Sequence, residues 1–137
     1  GVKVYGEQRG AGLSDYDADG RVDLVVSQNG ASTKLYHNVG AKAGLRIRLV
    51  GPKGNRNGVG ATIRLVYENA LGPAREVHLG SGYWSQNSMV QVMGLREPAK
   101  GVWVRWPGGG TTNVRLPAGA SEVTVDFTGK LEINTVK

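Results

Sequence analysis

The chain of 137 residues contains no cysteine, so disulfides, thiolate catalysis and cysteine-ligated zinc are excluded from the start. It has no run of eighteen apolar residues, and no membrane-spanning helix is therefore expected. Residues 1–10 lack the basic and apolar regions of a signal peptide, and we expect any leader to lie outside this sequence. The length is that of one ordinary domain, which can bury a core without metal.

Runs of like charge are also lacking, although the formal net charge is +6 and the sequence pI is about 9.8. The arginines occur singly along apparent strands, as at Arg46, Arg64 and Arg115, and no basic run of five or six residues is present. Single cations of this kind are typical of a solvated strand face, so we expect no nucleic-acid partner. A general preference for acidic surfaces or anionic polysaccharide stays open.

Glycine, in contrast, is abundant at 22 residues, and it separates short runs of β-branched residues. This is the pattern of many short strands joined by tight turns, and no segment shows a convincing helical period. The run at 45–50, LRIRLV, alternates between apolar residues and arginine as a half-buried strand does. Strands are predicted at 22–26, 34–37, 45–50, 62–67, 75–79, 88–93, 102–106, 113–116 and 122–127.

The arrangement of these strands predicts an all-β fold with three segments. Residues 1–40 hold an acidic loop and a hairpin marked by Asn29-Gly30. Small residues at 40–44 mark a boundary, after which about seven strands within 41–128 predict a β-sandwich of jelly-roll or Ig-like type. Residues 129–137 are left as a C-terminal tail.

The acidic loop has carboxylates at alternate positions, Asp15, Asp17 and Asp19, followed by Gly20 and by Asp23. Alternate placement lets the side chains converge on one point, glycine permits the sharp turn, and the carbonyl of Arg21 can supply a further oxygen. Crowded carboxylates repel one another unless a cation lies between them. A flexible, all-oxygen site of this kind predicts calcium, held by Asp15, Asp17, Asp19, Arg21 and Asp23; a plain Asp-Gly turn is the alternative.

The loop differs from an EF-hand. An EF-hand requires a bidentate glutamate at loop position 12 and a helix on either side, whereas position 12 here is Val26, within a predicted strand. The loop therefore ends at Asp23 and leads directly into a β-strand.

The acidic loop, the DLVV that follows it, the hairpin and LYHN together resemble the closing blade of FG-GAP or VCBS repeats, which carry calcium loops in β-propellers. The remainder is similar to the ASPIC and UnbV domain through LRIRLVGPKGNRNGVGA, REVHLGSGYWSQNS, MGL and VWVRWPGGGTTNV. The two resemblances cover roughly residues 12–126. They imply an extracellular or cell-envelope accessory module without enzymatic activity, and they imply no particular ligand.

No catalytic arrangement is recognised. His37 and His78 lie in predicted strands without a nearby nucleophile and orienting acid, and Ser81 does not meet the GxSxG pattern. The carboxylates outside the acidic loop form no motif that pairs two of them across a cleft, as glycoside hydrolysis requires. The glycine-rich segment 51–61 lacks the P-loop spacing and a following helix.

Aromatic residues are few, but three of them lie in glycine-flanked segments that suit a sugar-binding surface: Tyr83, Trp84 and Trp106. The flat apolar face of a pyranose stacks on such rings, while amides and charged groups contact its hydroxyls. Trp103 and Trp106 point to opposite faces of one strand, so at least one belongs to the core. We expect Trp103 or Tyr83 inside and Trp84 exposed. The candidate ligand-binding residues are Trp84, Tyr83, Trp106, Gln86, Asn87 and Arg56.

The sequence therefore predicts a non-catalytic, extracellular calcium-binding recognition module, with a polysaccharide or glycan as the partner. The rival hypothesis is a structural or protein-protein adhesion domain in which calcium only stabilises the fold. An exposed tryptophan and tyrosine would favour the first hypothesis, and burial of all three tryptophans would favour the second.

Overall fold

The computed structural model describes residues 2–134, and the regular structure of this part is entirely β. Within it, no helix is long and apolar enough to cross a membrane. The strands are β1 Gln8–Ser14, β2 Asp23–Gln28, β3 Lys34–Tyr36, β4 Leu45–Val50, β5 Thr62–Val66, β6 Arg75–Glu76, β7 Gln91–Met93, β8 Gly101–Arg105, β9 Thr111–Arg115, β10 Glu122–Asp126 and β11 Leu131–Ile133.

The strands form three sheets. A three-stranded antiparallel sheet has the order β1-β2-β3, and the two four-stranded sheets have the orders β11-β10-β4-β7 and β6-β5-β8-β9. In the first four-stranded sheet β4 and β10 are parallel, with Arg46 opposite Glu122, and the other pairings are antiparallel. The predicted all-β sandwich is confirmed; its assignment as jelly-roll or Ig-like stays a prediction.

The core lies between the two four-stranded sheets because each central strand alternates apolar and outward residues. Ile47 of β4, Ile63 of β5, Val104 of β8 and Val123 of β10 are all completely buried. Trp106 joins this cluster just after β8, and its indole Nε1 donates to Thr112 Oγ1 at 3.1 Å. The indole proton is thus satisfied inside the apolar core, as buried tryptophan requires.

Most predicted strands are present, with some differences in length. The strand at Leu45–Val50 and the β2-β3 hairpin are confirmed, and the hairpin turn includes Gly30 at φ 68°. Strand β6 contains only two residues of the predicted 75–79, and β7 begins three residues later than predicted. Two strands were not predicted, β1 and β11; the latter pairs with β10 within the segment left as a tail.

The three-stranded sheet is joined to the sandwich at Gly44, where two backbones approach closely. The Gly44 N–H donates to the carbonyl oxygen of Gly20 at 2.8 Å, and a Cβ added at Gly44 would lie 2.6 Å from the carbonyl oxygen of Met93. No side chain fits between these backbones. Glycine at this position therefore sets the distance between the acidic loop and the sandwich.

Substitution Gly44→Ala is expected to lower the free energy of unfolding by about 1–3 kcal/mol, because the added methyl must displace backbone. Urea denaturation followed by tryptophan fluorescence measures the change. Gly54→Ala is the matched control, since a Cβ there meets no atom within 4 Å and φ is not positive. Equal stability of the two variants would show that the approach at Gly44 is not tight in solution.

Candidate metal centre and aromatic loop

The acidic loop connects β1 to β2 and is organised around Asp15. The Asp15 residue is 8 % exposed, and its carboxylate accepts the backbone N–H of Asp19 at 3.0 Å and of Gly20 at 2.8 Å. Two residues of the loop have a left-handed backbone, Ala18 at φ 63° and Gly20 at φ 83°. Hydrogen bonds from the loop's own backbone thus fold it around one buried carboxylate.

Three of the predicted metal ligands are brought together. Carboxylate oxygens of Asp15, Asp17 and Asp23 all lie within 4.8 Å of one another. Asp23 is held at the start of β2, where it accepts the backbone N–H of Tyr16 at 3.2 Å and of Asn38 at 2.8 Å. One cation can contact three oxygens at this spacing, and an all-oxygen donor set fits calcium.

Asp19 lies in a second, overlapping group with Asp17 and His37. His37 Nε2 is 3.0 Å from Asp17 Oδ2 and 3.6 Å from Asp19 Oδ2, and the guanidinium of Arg21 also contacts Asp19. Burial raises the pKa of Asp19, but hydrogen bonds and charge from Arg21, with His37, outweigh it and hold this pKa below its usual value. The sequence did not indicate that His37 would adjoin the acidic loop.

Arg21 itself is fixed at the base of the loop. Its backbone N–H donates to Asp19 Oδ1 at 2.8 Å, and its side-chain Nε donates to the carbonyl oxygen of Asn38 at 2.8 Å. These contacts hold the peptide that follows Gly20. The role of the Arg21 carbonyl as a metal ligand stays a prediction.

Arg46 corrects the interpretation of the arginines as solvated, because it is buried between two carboxylates. Its guanidinium contacts Asp15 Oδ2 at 2.5 Å and Glu122 Oε2 at 2.6 Å, and it also donates to the Asp15 carbonyl oxygen at 3.3 Å. The residue is 8 % exposed. The three side chains connect the acidic loop, β4 and β10.

Arg46, Asp15 and Glu122 form a triad of charged side chains in which Arg46 and Glu122 shift each other's pKa. Burial lowers the pKa of Arg46, but its hydrogen bonds to Glu122 and Asp15 raise that pKa above the usual value. Burial raises the pKa of Glu122, but the hydrogen bonds from Arg46 and Asn134 bring that pKa below the usual value. Arg46 and Glu122 are therefore both ionised at neutral pH.

The segment Gly80–Ser88, here named the aromatic loop, carries the most exposed ring pair of the sandwich. Trp84 is 85 % exposed and Tyr83 is 71 % exposed, and their rings meet edge to face with centroids 6.1 Å apart. The predicted exposure of Trp84 is confirmed. Tyr83, expected inside as an alternative to Trp103, is instead exposed, because Gly80 and Gly82 have positive φ and turn the loop away from both sheets.

The aromatic loop is attached along β1. The Ala11 N–H donates to Ser85 Oγ at 3.0 Å, the Leu13 N–H donates to Asn87 Oδ1 at 2.9 Å, and the Ser88 N–H donates to the Leu13 carbonyl oxygen at 2.8 Å. The aromatic loop therefore provides hydrogen-bond partners for backbone groups of β1 at the outer edge of the three-stranded sheet, which would otherwise be unpaired.

The two predicted amide residues of this loop hold its shape. Gln86 Oε1 accepts the Gly80 N–H at 2.5 Å, and Gln86 Nε2 donates to the Asn87 carbonyl oxygen at 2.9 Å. Asn87 Oδ1 accepts the Leu13 N–H, whereas Asn87 Nδ2 donates to no group within residues 2–134. Gln86 is therefore structural, and Asn87 keeps one free donor.

The structure places the other two predicted ligand-binding residues elsewhere. Trp106 is 7 % exposed and contributes one wall of a cavity of about 330 Å³ with Pro52, Pro107 and Phe127, and no residue lining that cavity belongs to the aromatic loop. Arg56 is exposed in the segment 51–61, and its side chain has no hydrogen bond or ion pair within the described part of the chain. Trp106 is therefore a core residue, as the sequence predicted for at least one of Trp103 and Trp106.

The fold and these sites define a class of protein: an all-β sandwich preceded by a three-stranded sheet that carries an acidic loop. The family model for ASPIC and UnbV matches residues 51–131, more than half of the chain. The chain therefore belongs to the ASPIC and UnbV family. Comparison with curated proteins finds no match. The resemblance of residues 1–40 to a calcium-loop repeat stays a prediction.

Proposed function

We propose that this chain is a non-catalytic extracellular recognition module, which binds calcium in its acidic loop and a carbohydrate on its aromatic loop. The observation that carries the proposal is the exposure of the adjacent rings Tyr83 and Trp84 in a loop that is held to β1. Exposed rings of this size contribute little buried apolar area to the folded state. They offer that apolar area to a ligand instead.

The aromatic loop is also pre-organised for binding. Trp84 has φ 50°, a left-handed backbone that a bulky residue rarely adopts, and such strain clusters at ligand sites. The side-chain oxygens of Ser85, Gln86 and Asn87 each accept a backbone N–H, and these hydrogen bonds fix the loop that carries the ring. A ligand that stacks on Trp84 therefore has little loop backbone left to order on binding.

Calcium has a structural part in this proposal. Asp15 directly follows β1, and Leu13 of β1 is the residue that exchanges hydrogen bonds with Asn87 and Ser88. A cation held by Asp15, Asp17 and Asp23 would fix the end of β1 and so support the aromatic loop. No contact between calcium and the carbohydrate is required.

The absence of catalysis is part of the same proposal. Outside the acidic loop, every carboxylate that the structure describes except Glu76 has a cation or a hydrogen-bond donor of the chain as partner, as Glu122 has Arg46 and Asp126 has the Thr128 and Lys130 N–H groups. The neighbour of Glu76 is His78 Nδ1 at 3.6 Å. Glycoside hydrolysis instead needs two carboxyl groups free to act on opposite sides of a bond.

An alternative function is adhesion to another protein, with calcium only stabilising the fold. It is favoured by an apolar pair on the three-stranded sheet, where Val25 and Leu35 face each other across β2 and β3 and are 38 % and 56 % exposed. Cross-strand neighbours of this kind form a continuous apolar surface. The two functions differ in whether Trp84 is needed for binding.

Substitution Trp84→Ala is expected to weaken carbohydrate binding at least tenfold, because it removes the stacking surface while leaving the anchoring side chains in place. Glycan-array screening of the unaltered protein identifies the ligand, and isothermal titration with that ligand compares the variants. Tyr5→Ala, which removes another ring that is 83 % exposed, is the matched control. Failure to bind any polysaccharide, with or without calcium, would reject the carbohydrate function and leave adhesion.

A further inference from the structure

A polar cleft of about 370 Å³ lies between β6 and the two ends of the aromatic loop. Ser81, Asn87 and Ser88 of the aromatic loop form part of its wall, so the cleft and the exposed rings share one short segment. The side chains that give the cleft its chemistry are Arg75, Glu76, His78, Ser81, Asn87 and Gln91.

Several hydrogen-bonding groups of the polar cleft are not used by the chain. The guanidinium of Arg75, the hydroxyl of Ser81 and the Nδ2 of Asn87 have no hydrogen bond or ion pair with any residue in the range 2–134. Glu76, by contrast, lies 3.6 Å from His78 Nδ1. The free groups are mainly donors, and one of them carries a permanent positive charge.

The cleft lies within reach of the ring on which a sugar would stack. Trp84 is three residues from Ser81 and three from Asn87, and both of these residues line the cleft. Three residues span at most about 11 Å, so the Cα atoms cannot be farther apart than this. An oligosaccharide can therefore contact the ring and the cleft at once.

We propose that the polar cleft binds an acidic sugar unit, whose anionic group pairs with Arg75 while a neighbouring unit stacks on Trp84. The inference rests on the proposed carbohydrate function and names its ligand class, an anionic polysaccharide. A planar guanidinium with five donors forms paired hydrogen bonds to a carboxylate or a sulfate. Ser81 and Asn87 then donate to ring substituents, and Glu76 accepts from sugar hydroxyls.

The charge of the whole chain supports this ligand class. The formal net charge is +6, which favours the approach of an anionic polymer over long range. Charge alone does not select a site, because most of the cations are dispersed over the surface. Arg75 differs from them in lining the same cleft as two free donors that belong to the aromatic loop.

The experiment titrates the calcium-loaded protein with three tetrasaccharides: a galacturonate oligomer, a sulfated heparin fragment and neutral cellotetraose. The unaltered protein is expected to bind at least one acidic ligand at least tenfold more tightly than cellotetraose. Arg75→Gln is expected to abolish this preference. Arg115→Gln, which removes an exposed arginine of β9 and the same net charge, is expected to retain it.

The outcomes separate this inference from the function on which it rests. Tighter binding of the galacturonate identifies a carboxylate as the partner of Arg75, and tighter binding of the heparin fragment identifies a sulfate. Equal binding of neutral and acidic ligands that is lost in Trp84→Ala would overturn the inference and keep the carbohydrate function. An Arg75→Gln variant that binds like the unaltered protein would overturn it too. Absence of binding to all three ligands would overturn the inference, and the carbohydrate function would fall with it only if the glycan array also showed no binding.

Discussion

Replacement of Arg46 by alanine is expected to lower the free energy of unfolding by about 3–5 kcal/mol, because it leaves two buried carboxylates without their cation. Asp15 and Glu122 lie 2.5 and 2.6 Å from the guanidinium and are each 8 % exposed. The side chains of Asp15 and Glu122 are only 1 % and 11 % exposed, so little water can replace the guanidinium. Loss of the cation therefore weakens the joint between loop and sandwich as well as the ion pairs.

Urea denaturation of Arg46→Ala and of Arg48→Ala measures this effect. Arg48 lies two residues further along β4 and is exposed. The Arg48→Ala variant is therefore expected to lose less than about 1 kcal/mol of its free energy of unfolding. A similar small loss in both variants would mean that the Arg46 triad is solvated in solution.

The pH dependence gives a second test of the same triad. The pKa of Glu122 is lower in the folded chain than its usual value, so its ion pair stabilises the fold above the usual carboxyl range and is lost as pH falls through the folded value. The stability difference between the unaltered protein and Arg46→Ala is therefore expected to narrow below about pH 4. A difference that stays constant down to pH 2 would contradict this account.

The parts of the fold that the sequence predicted depend on local pattern. Strand β4 is recognised because LRIRLV alternates, and the acidic loop is recognised because its carboxylates and Gly20 are only a few residues apart. Strand β1 was missed because QRGAGLS has few apolar residues. Two glycines in it allow the aromatic loop to pack closely: a Cβ at Gly10 would lie 2.9 Å from the Trp84 carbonyl oxygen.

The relations between distant segments could not be predicted. Arg46 and Glu122 are 76 positions apart, and Leu13 and Asn87 are 74 positions apart. Alternation places Arg46 and Arg48 on the same outward face, yet only Arg46 is covered, because the acidic loop lies over that end of β4. The sequence predicts which face of a strand a residue occupies, but not whether another segment covers that face.

Calcium is expected to raise the melting temperature by about 10 °C at a concentration one hundred times its dissociation constant. Binding to the folded state alone contributes about 2.7 kcal/mol under this condition, and a domain of this size gains roughly 4 °C per kcal/mol. The physical reason is charge: Asp15, Asp17 and Asp23 present oxygens within 4.8 Å of one another, and only Asp15 has a buried cation as partner. Magnesium is expected to give a smaller shift, because it requires a stricter geometry.

The choice of variant decides how clearly the calcium prediction is tested. Asp15→Asn would also break the pairing with Arg46, so a loss of stability there would not distinguish metal from ion pair. Asp17 has no such second role in the core; its side chain is 31 % exposed, and within residues 2–134 its polar contacts are with loop atoms and His37. Asp17→Asn should therefore remove most of the calcium-dependent shift and leave the chelated melting temperature nearly unchanged, while the exposed control Glu97→Gln keeps the full shift. Equal melting temperatures with calcium and with chelator in the unaltered protein would reject the metal site.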